Sequence, residues 1–251
     1  MQKKFYLVNK KEGQTPLESL EVFRVKNKIP LDVPMTYAGR LDPLASGLLL
    51  LLAGEECKNK QKYLNLDKEY DFEVLFGFKT DTYDILGKVI TEGYPMHKKE
   101  DLEKLIKKNL KHFKGKIVQK YPLYSSKTVE GKPLFTYARE NKVVEIPERE
   151  VMIKSLKYLN LRKISSKTLL ENIETRVNKV NGDFRQKEIL KIWQKKLCDE
   201  KMPKHFFVAS FSTKVTSGTY VRTIANDLGD MISIPSLAFS IKRTKVGKWS
   251  L

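Results

Sequence analysis

The 251-residue sequence has few of the residues from which metal centres and disulfide frameworks are built. Its two cysteines, Cys57 and Cys198, lie far apart and match neither a zinc spacing nor a disulfide framework. The three histidines, His97, His112 and His205, are equally scattered, and no glycine-rich phosphate loop is present. Any chemistry therefore has to be carried out by ordinary side chains, and we expect neither a metal nor a cofactor.

Long apolar runs are also missing. No stretch reaches the roughly 18 apolar residues of a membrane span, and the N-terminus lacks the apolar core of a signal peptide. With 41% hydrophobic residues, a chain of this length can still bury a substantial core. We therefore expect a cytoplasmic, soluble protein that has no membrane partner. We also expect the protein to be a monomer.

Acidic residues are outnumbered by basic ones. The chain holds 30 Asp and Glu against 48 Lys and Arg, which gives a formal net charge of +18. Such an excess indicates a polyanionic partner, most simply a nucleic acid. A generally basic proteome or an anionic membrane surface remains the alternative explanation.

One carboxylate stands out from its surroundings. Asp42 precedes Pro43, which disfavours helical geometry at Asp42, and lies between Gly39 and Gly47, which tolerate unusual backbone angles. The apolar block 48–53 then follows without alternation, as in a strand buried on both faces. A carboxylate on a bent loop anchored by a buried strand is a candidate catalytic group. A simple Asp-Pro turn in a surface loop remains the alternative.

Strand and helix patterns are intermixed along the chain without a regular βαβ repeat. The sequence predicts short strands at 5–8 and 246–249, and alternation predicts longer ones at 69–78, 151–161 and 207–215. Helical spacing predicts a helix over 102–113, and further helices are expected from 15, over 133–140 and from 219 to 229. We predict an α+β fold in which a mixed, mostly antiparallel sheet is flanked by helices, with residues 1–251 forming a single domain.

The first helix has the clearest start signals. Thr15 suits its N-cap, Pro16 its first position, and Glu18 completes a capping box. Its buried side is predicted to carry Leu17, Leu20, Val22, Phe23 and Val25.

Residues 160–204 differ in character from the rest. They hold 12 Lys and Arg against 6 Asp and Glu, and two amphipathic helical patterns flank a break at 181–183. The pattern predicts a basic helical insertion between two strands. Contact with a ligand and a solvated decoration both remain open for it.

Four segments resemble, in order, the motifs of the TruB-type tRNA pseudouridine synthases. They are Gly39–Gly47 around Asp42, Lys68–Asp84, Pro122–Arg139 and Ser217–Gly229. The resemblance covers nearly the whole chain except the 160–204 insertion. It implies one pseudouridine synthase catalytic domain that lacks the C-terminal RNA-binding (PUA) domain common in that family.

The resemblance implies an enzyme that detaches a uracil base from its ribose, rotates it and rejoins it through carbon. The expected substrate is a uridine in the T-loop of tRNA, at position 55, flipped out of the RNA fold. Asp42 would be the catalytic residue and would attack the ribose, stabilise its charge or take a proton from C2′. A synthase acting on another RNA and a tRNA-binding folding chaperone remain alternatives.

The resemblance also implies substrate-binding positions. Arg222 would pair with Asp42, and Tyr70 would stack on the uracil and handle the proton lost from C5. Asp84 would bond the base, although it could equally cap a turn. Further contacts are expected from Arg40 in the Asp42 motif, from Lys10 as a basic surface residue and from Ile241 near the base. Tyr37 departs from the pattern, because the family usually has a histidine there, and its ring could stack in a similar way.

Overall fold

The computed structural model describes residues 5–94 and 98–251, so that His97 lies outside the described residues. The strands are β1 Phe5–Lys10, β2 Met35–Ala38, β3 Ala45–Ala53, β4 Lys68–Phe76, β5 Phe78–Thr80, β6 Val89–Glu92, β7 Gly115–Lys120, β8 Thr128–Val129, β9 Lys132–Pro133, β10 Glu148–Ser165, β11 His205–Val215, β12 Ser236–Val246 and β13 Trp249–Ser250. The α-helices are α1 Pro16–Lys26, α2 Lys60–Leu64, α3 Lys99–Asn109, α4 Leu134–Arg139, α5 Ser166–Val177, α6 Gln186–Leu197 and α7 Val221–Ile232. Two 3-10 helices cover Gly54–Asn59 and Leu110–Phe113.

The main sheet has the strand order β1-β3-β12-β4-β11-β10-β7, with β2 joined to β3 and β13 to β12. Within the described part of the chain its neighbouring strands run antiparallel except β3 and β12, which are parallel. Helices pack against the sheet. The predicted α+β fold with a mixed, mostly antiparallel sheet is confirmed.

Strand β3 is buried on both faces, as its unbroken apolar sequence predicted. Leu49 and Leu51 pack with Leu20 of α1, whereas Leu48, Leu50 and Leu52 pack on the opposite face with Tyr63 of α2 and Val246 of β12. All five leucines are fully buried. Each contributes on the order of 1.5–3 kcal/mol by leaving water, so β3 is a firm base for the Asp42 loop that precedes it.

Helix α1 starts as predicted but packs through a different face. Both bonds of the Thr15–Glu18 capping box are present. The predicted buried side is wrong at three positions, because Leu17, Val22 and Val25 are 57%, 56% and 76% exposed. The helix instead buries a face with Ser19, Leu20 and Arg24. Arg24 fits there because its guanidinium donates to the carbonyls of Pro30 and Val33.

The segment between β10 and β11 forms two helices that pack against each other, α5 and α6, which we call the helical hairpin (residues 166–204). The predicted boundary at Asn160 is wrong, because β10 pairs with β11 as far as Ser165 and buries Leu161 and Ile164. The hairpin is part of the core. Its buried side chains pack with Leu75 and Leu237 of the main sheet and are Leu169, Ile173, Val177, Ile189, Trp193 and Leu197. The hairpin is therefore not a merely solvated decoration, whereas its contact with a ligand stays a prediction.

Helix α7 begins at Val221, which places Arg222 in its first turn as predicted. Its predicted end at Gly229 is wrong, since the helix continues to Ile232. Gly229 serves close packing instead, because a Cβ there would lie 2.5 Å from the carbonyl oxygen of Ile234. None of the helices in the described ranges has the length and apolar character needed to cross a membrane.

Candidate active site

Asp42 lies in the loop between β2 and β3, and the backbone around it is tied down on both sides. Its own carbonyl accepts a bond from the Ala45 amide at 3.0 Å, which makes a tight turn. The carbonyl of Pro43 accepts a bond from the Gly13 amide at 2.9 Å. The loop is thereby fixed to the turn that follows β1.

Lys10 is fully buried beneath this loop, so the prediction of a surface contact with RNA is wrong. It lies opposite Gly47 in the β1–β3 pairing. Its ammonium group donates to the carbonyls of Gln14 at 2.5 Å, Lys11 at 3.1 Å and Pro43 at 3.2 Å. Burial lowers the pKa of Lys10 to about 8. Lys10 therefore supports the backbone next to Asp42 from inside the fold.

Asp42 and Arg222 form a two-point ion pair. Arg222 Nε donates to Oδ2 at 2.7 Å, and Nη2 donates to Oδ1 at 3.1 Å. The arginine side chain is 3% exposed, whereas the aspartate side chain is 36% exposed. A bidentate pair of this kind fixes the plane of the carboxylate. The buried cation therefore aims a carboxylate that stays accessible from outside.

The rest of the Arg222 guanidinium is held by two other segments. Nη1 donates to the carbonyl of Thr82 at 2.5 Å, and Nη2 lies 3.4 Å from the carbonyl of Tyr124. These carbonyls belong to the loop 80–84 and to the segment 121–127. Because a buried guanidinium is costly unless its N–H groups are bonded, these contacts stabilise Arg222 in its position.

Asp84 caps a turn and also faces the ion pair. Its Oδ1 accepts bonds from the Thr82 hydroxyl at 2.7 Å and from the Leu86 amide at 3.0 Å, and its Oδ2 lies 3.8 Å from Arg222 Nε. Burial raises the pKa of Asp84 to about 6, although Arg222 acts in the opposite direction. The turn-capping role left open by the sequence is present, and the side chain lines the cavity as well.

A cavity of about 810 Å³ opens in front of Asp42, a size that suits a ligand as large as a nucleotide. The site residues predicted from the sequence meet here, apart from Lys10 behind the wall. The predicted residues that line the cavity are Tyr37, Arg40, Asp42, Tyr70, Asp84, Arg222 and Ile241.

Three of these residues come from different strands of the main sheet. Tyr37 lies on β2, Tyr70 on β4 and Ile241 on β12. Tyr70 and Ile241 are buried apart from the surface that they present to the cavity, and Tyr37 has the ammonium group of Lys60 5.4 Å from its ring centre. Rigid strands thus place aromatic and apolar surface beside the carboxylate.

The cavity wall is strongly basic. Among the described residues that line it, two carboxylates, Asp42 and Asp84, stand against nine cationic side chains. The cations are Arg40, Lys60, Lys68, Lys127, Arg139, Arg149, Arg185, Arg222 and Arg243. A wall of this charge with aromatic rings in it suits an anionic ligand that carries a planar base.

Residues 33–184, more than half of the chain, match the TruB family pseudouridylate synthase (N terminal domain). The chain belongs to the TruB family. Two bacterial proteins named tRNA pseudouridine synthase B are similar to it. The protein of Fusobacterium nucleatum is 31% identical over 245 residues, which are 98% of this chain and 68% of that protein. The protein of Aquifex aeolicus is 30% identical over 245 residues, which are 98% of this chain and 69% of that protein.

Solved structures show the same fold. A Cbf5-Nop10-Gar1 complex matches with a TM-score of 0.57 at 15% identity, over 98% of this chain and 49% of that chain. A structure of H/ACA RNP bound to a substrate RNA containing 2'-deoxyuridine matches with a TM-score of 0.54 at 14% identity, over 98% of this chain and 48% of that chain. This TruB-family chain therefore spans about half the length of those chains.

Arg243 is a residue of this TruB-family site that sequence reasoning missed. It is almost fully buried on β12 and donates to the carbonyls of Leu48 at 2.7 Å, Gly39 at 3.2 Å and Arg40 at 3.3 Å. Gly47 allows this approach, because its φ is +104° and a Cβ there would lie 2.2 Å from the Arg243 carbonyl oxygen. The local signal in the sequence was weak, because Lys242 and Arg243 stand in a strand that also contains serine, threonine and a further lysine.

In residues 5–94 and 98–251, no group of three or more His, Cys, Asp or Glu side chains is placed to hold a metal ion. The polar groups around Asp42 are instead engaged with arginine, lysine and backbone partners.

Proposed function

We propose that this chain converts a uridine in the T-loop of tRNA, expected at position 55, to pseudouridine, with Asp42 as the catalytic residue. The observation that carries the proposal is the Asp42–Arg222 pair, whose carboxylate opens onto a basic, aromatic cavity. Membership of the TruB family supports the reaction type, and the similar proteins named tRNA pseudouridine synthase B support tRNA as the substrate.

The reaction rearranges bonds within one nucleotide. The N1–C1′ bond breaks, a C5–C1′ bond forms, C5 gives up its proton to solvent, and N1 gains a proton. Breaking the glycosidic bond builds positive charge on the ribose, so a carboxylate beside C1′ or C2′ can attack the sugar or take a proton from it. Asp42 would serve in either role, because Arg222 fixes the plane of the carboxylate while the Asp42 side chain stays partly exposed to the cavity.

Binding of the nucleotide would divide between the base and the backbone. Tyr70, Tyr37 and Ile241 would pack against the uracil, and the Tyr70 hydroxyl is the candidate for moving the proton from C5. Exposed cations on the cavity wall would bind phosphates on either side of the flipped nucleotide. They are Arg40, Lys127, Arg139 and Arg149. Such contacts would offset the few kcal/mol that flipping the base costs.

The test is release of tritium from C5-labelled uridine in an unmodified tRNA transcript. Asp42→Asn keeps the shape and one acceptor for Arg222 but removes the charge, so we expect a loss on the order of 10³-fold or more. Asp71→Asn, an exposed change on β4, is the matched control and should release tritium like the wild type.

Equal tRNA binding by wild type and Asp42→Asn, with no tritium release from either, would favour a folding chaperone instead. Release from a different RNA but not from tRNA would favour the alternative substrate.

A further inference from the structure

We infer that Arg185, in the loop that joins the two helices of the helical hairpin, is a positioning residue for the Asp42–Arg222 pair. The hairpin reaches the cavity through this loop, since Phe184 and Arg185 both form part of the wall. The Arg185 side chain is 17% exposed and lies among groups that come from two other parts of the chain.

Arg185 binds those two parts together. Its Nη1 donates to Asp81 Oδ2 at 2.7 Å, and its Nη2 donates to Asp81 Oδ1 at 3.3 Å. Nη1 also donates to the Tyr124 hydroxyl at 2.7 Å, and the guanidinium carbon lies 4.2 Å from the centre of the Tyr124 ring. One guanidinium therefore links the loop 80–84 to the segment 121–127.

These are the two segments that hold Arg222. The carbonyl of Thr82, next to Asp81, accepts from Arg222 Nη1, and the carbonyl of Tyr124 itself lies against Nη2. The contacts form a continuous path from Arg185 through Asp81 and Tyr124 to Arg222, and from there to the carboxylate of Asp42. We call the contacts of Arg185 with Asp81 and Tyr124 the clamp. Because the carbonyls of Thr82 and Tyr124 belong to loops, the clamp limits how far they can move.

The anchor points of the clamp are themselves fixed. Asp81 Oδ1 also accepts a bond from the Lys88 amide at 2.9 Å. Burial and the charge of Asp81 raise the pKa of Tyr124, so its hydroxyl keeps its proton at neutral pH. Both partners of Arg185 therefore offer it stable acceptors.

The backbone at Arg185 gives a second, independent observation. Its φ is +64°, in the left-handed region that residues other than glycine and asparagine rarely adopt. Glycine would fit the turn before α6 with less strain, so the backbone does not explain an arginine here. The contacts of its side chain do.

The inference rests on the proposed function, because Arg185 would act on the reaction only through Arg222. Loss of the clamp should affect the aim of the carboxylate more than the binding of RNA. We therefore expect Arg185→Ala to lower kcat for tritium release about 10- to 100-fold while KM for tRNA changes less than about 3-fold. Lys191→Ala removes one charge from the exposed side of the same hairpin and should change neither value.

Arg185→Lys separates geometry from charge. An ammonium group lacks the planar fork that bonds both oxygens of Asp81 while it lies against the Tyr124 ring, so this variant should keep most of the kcat defect. Full recovery of kcat by lysine would show that charge alone suffices and would overturn the inference. A rise in KM with unchanged kcat would mean that Arg185 binds the RNA directly, and would overturn it too.

A double-mutant cycle with Tyr124→Phe keeps the test decisive if Arg185→Ala folds poorly. Tyr124→Phe removes only the hydroxyl, so its effect on kcat and that of Arg185→Lys should overlap rather than multiply. Independent, multiplying effects would contradict the clamp. No release from the wild type would overturn the proposed function together with the inference, whereas equal kcat for wild type and Arg185→Ala would overturn the inference alone.

Discussion

Three buried cations surround the Asp42 loop, and each is bonded to a different part of it. Lys10 donates to the carbonyl of Pro43 just after Asp42, Arg243 donates to the carbonyls just before it, and Arg222 holds the carboxylate itself. A buried cation without partners is strongly disfavoured, so each cation requires the loop to stay where it is. The position of the carboxylate is thus set by charge as well as by packing.

Lys10→Met should destabilise the fold and slow catalysis without weakening RNA binding. The change removes the Lys10 donor of the Gln14 carbonyl and one of the two donors of the Pro43 carbonyl, which costs about 1–3 kcal/mol. Urea unfolding would measure the loss, and tritium release would show a lower kcat with an unchanged KM. Lys11→Met, at an exposed neighbouring position, is the control. A raised KM in Lys10→Met but not in Lys11→Met would restore the interpretation of Lys10 as a surface contact.

Asp84 should make the stability of the fold depend on pH. Its folded pKa of about 6 lies above the ordinary value of 3.8, so the folded state holds this proton more tightly than the unfolded state. The contribution of Asp84 to the free energy of unfolding is therefore fully present below about pH 4. This contribution, about 2–3 kcal/mol, is lost as the pH rises through 6. Asp84→Asn should remove that decline from unfolding curves measured between pH 4 and 7. An unchanged pH profile in Asp84→Asn would contradict this, and the exposed Asp71→Asn should retain the decline.

At the scale of single residues, the sequence predicted the pairing of Asp42 with Arg222. It did not predict that Lys10 and Arg243 would be buried against the Asp42 loop. Asp42 could be found because its loop has local signals, and Arg222 because its motif resembles a known one. Lys10 was misjudged since a lysine after a short strand is normally exposed. Arg243 had to be missed, because its role depends on which strand lies beside β12.

Among the elements, the helical hairpin joins distant parts of the chain. Its apolar faces extend the core, and its loop reaches the cavity. The sequence predicted two amphipathic helices here, and it also located α3, α4 and α7. The sequence could not tell which side of α1 faces the sheet, because apolar residues occur around that helix and Arg24 is buried by bonding to backbone carbonyls of the following loop.

Trp193→Ala should destabilise the whole protein, not only the hairpin. Trp193 is fully buried on α6, and its ring centre lies 4.9 Å from that of Phe78. Removing a buried aromatic side chain costs about 3–5 kcal/mol, which urea unfolding would detect as a lower midpoint. Lys191→Ala, on the exposed side of the same helix, should change the free energy of unfolding by less than about 0.5 kcal/mol. A loss below about 1 kcal/mol for Trp193→Ala would mean that the hairpin is a separate decoration after all.

For the whole molecule, charge is the property that the sequence predicted most directly. The net charge of +18 is matched by the excess of cations around the cavity. The strand order was not predictable in the same way, because it brings together β3 and β12 from nearly opposite ends of the sequence. Such pairings depend on packing across the finished sheet rather than on any local pattern.

Binding of tRNA should weaken steeply as salt is added. Each phosphate contact made by a cation contributes a slope of about 0.7–0.9 in a plot of log affinity against log salt concentration. Lys127→Ala, on the cavity wall, should lower that slope by about one such unit. Lys104→Ala removes an exposed charge of α3 that does not line the cavity and should leave the slope as it is. Equal slopes for Lys127→Ala and the wild type would exclude Lys127 from the RNA contact.

The parallel pairing of β3 with β12 also has a consequence for biosynthesis. β1, β2 and the Asp42 loop reach the rest of the main sheet through β3 and β12, and Arg243 comes from that same late strand. The ribosome has therefore translated most of the chain before the partner of the Asp42 loop exists. A nascent chain that stalls before residue 236 contains the hairpin and the strands β4, β7, β10 and β11, yet it lacks β12, which joins the Asp42 loop to them. Incomplete translation products should consequently be unable to modify RNA.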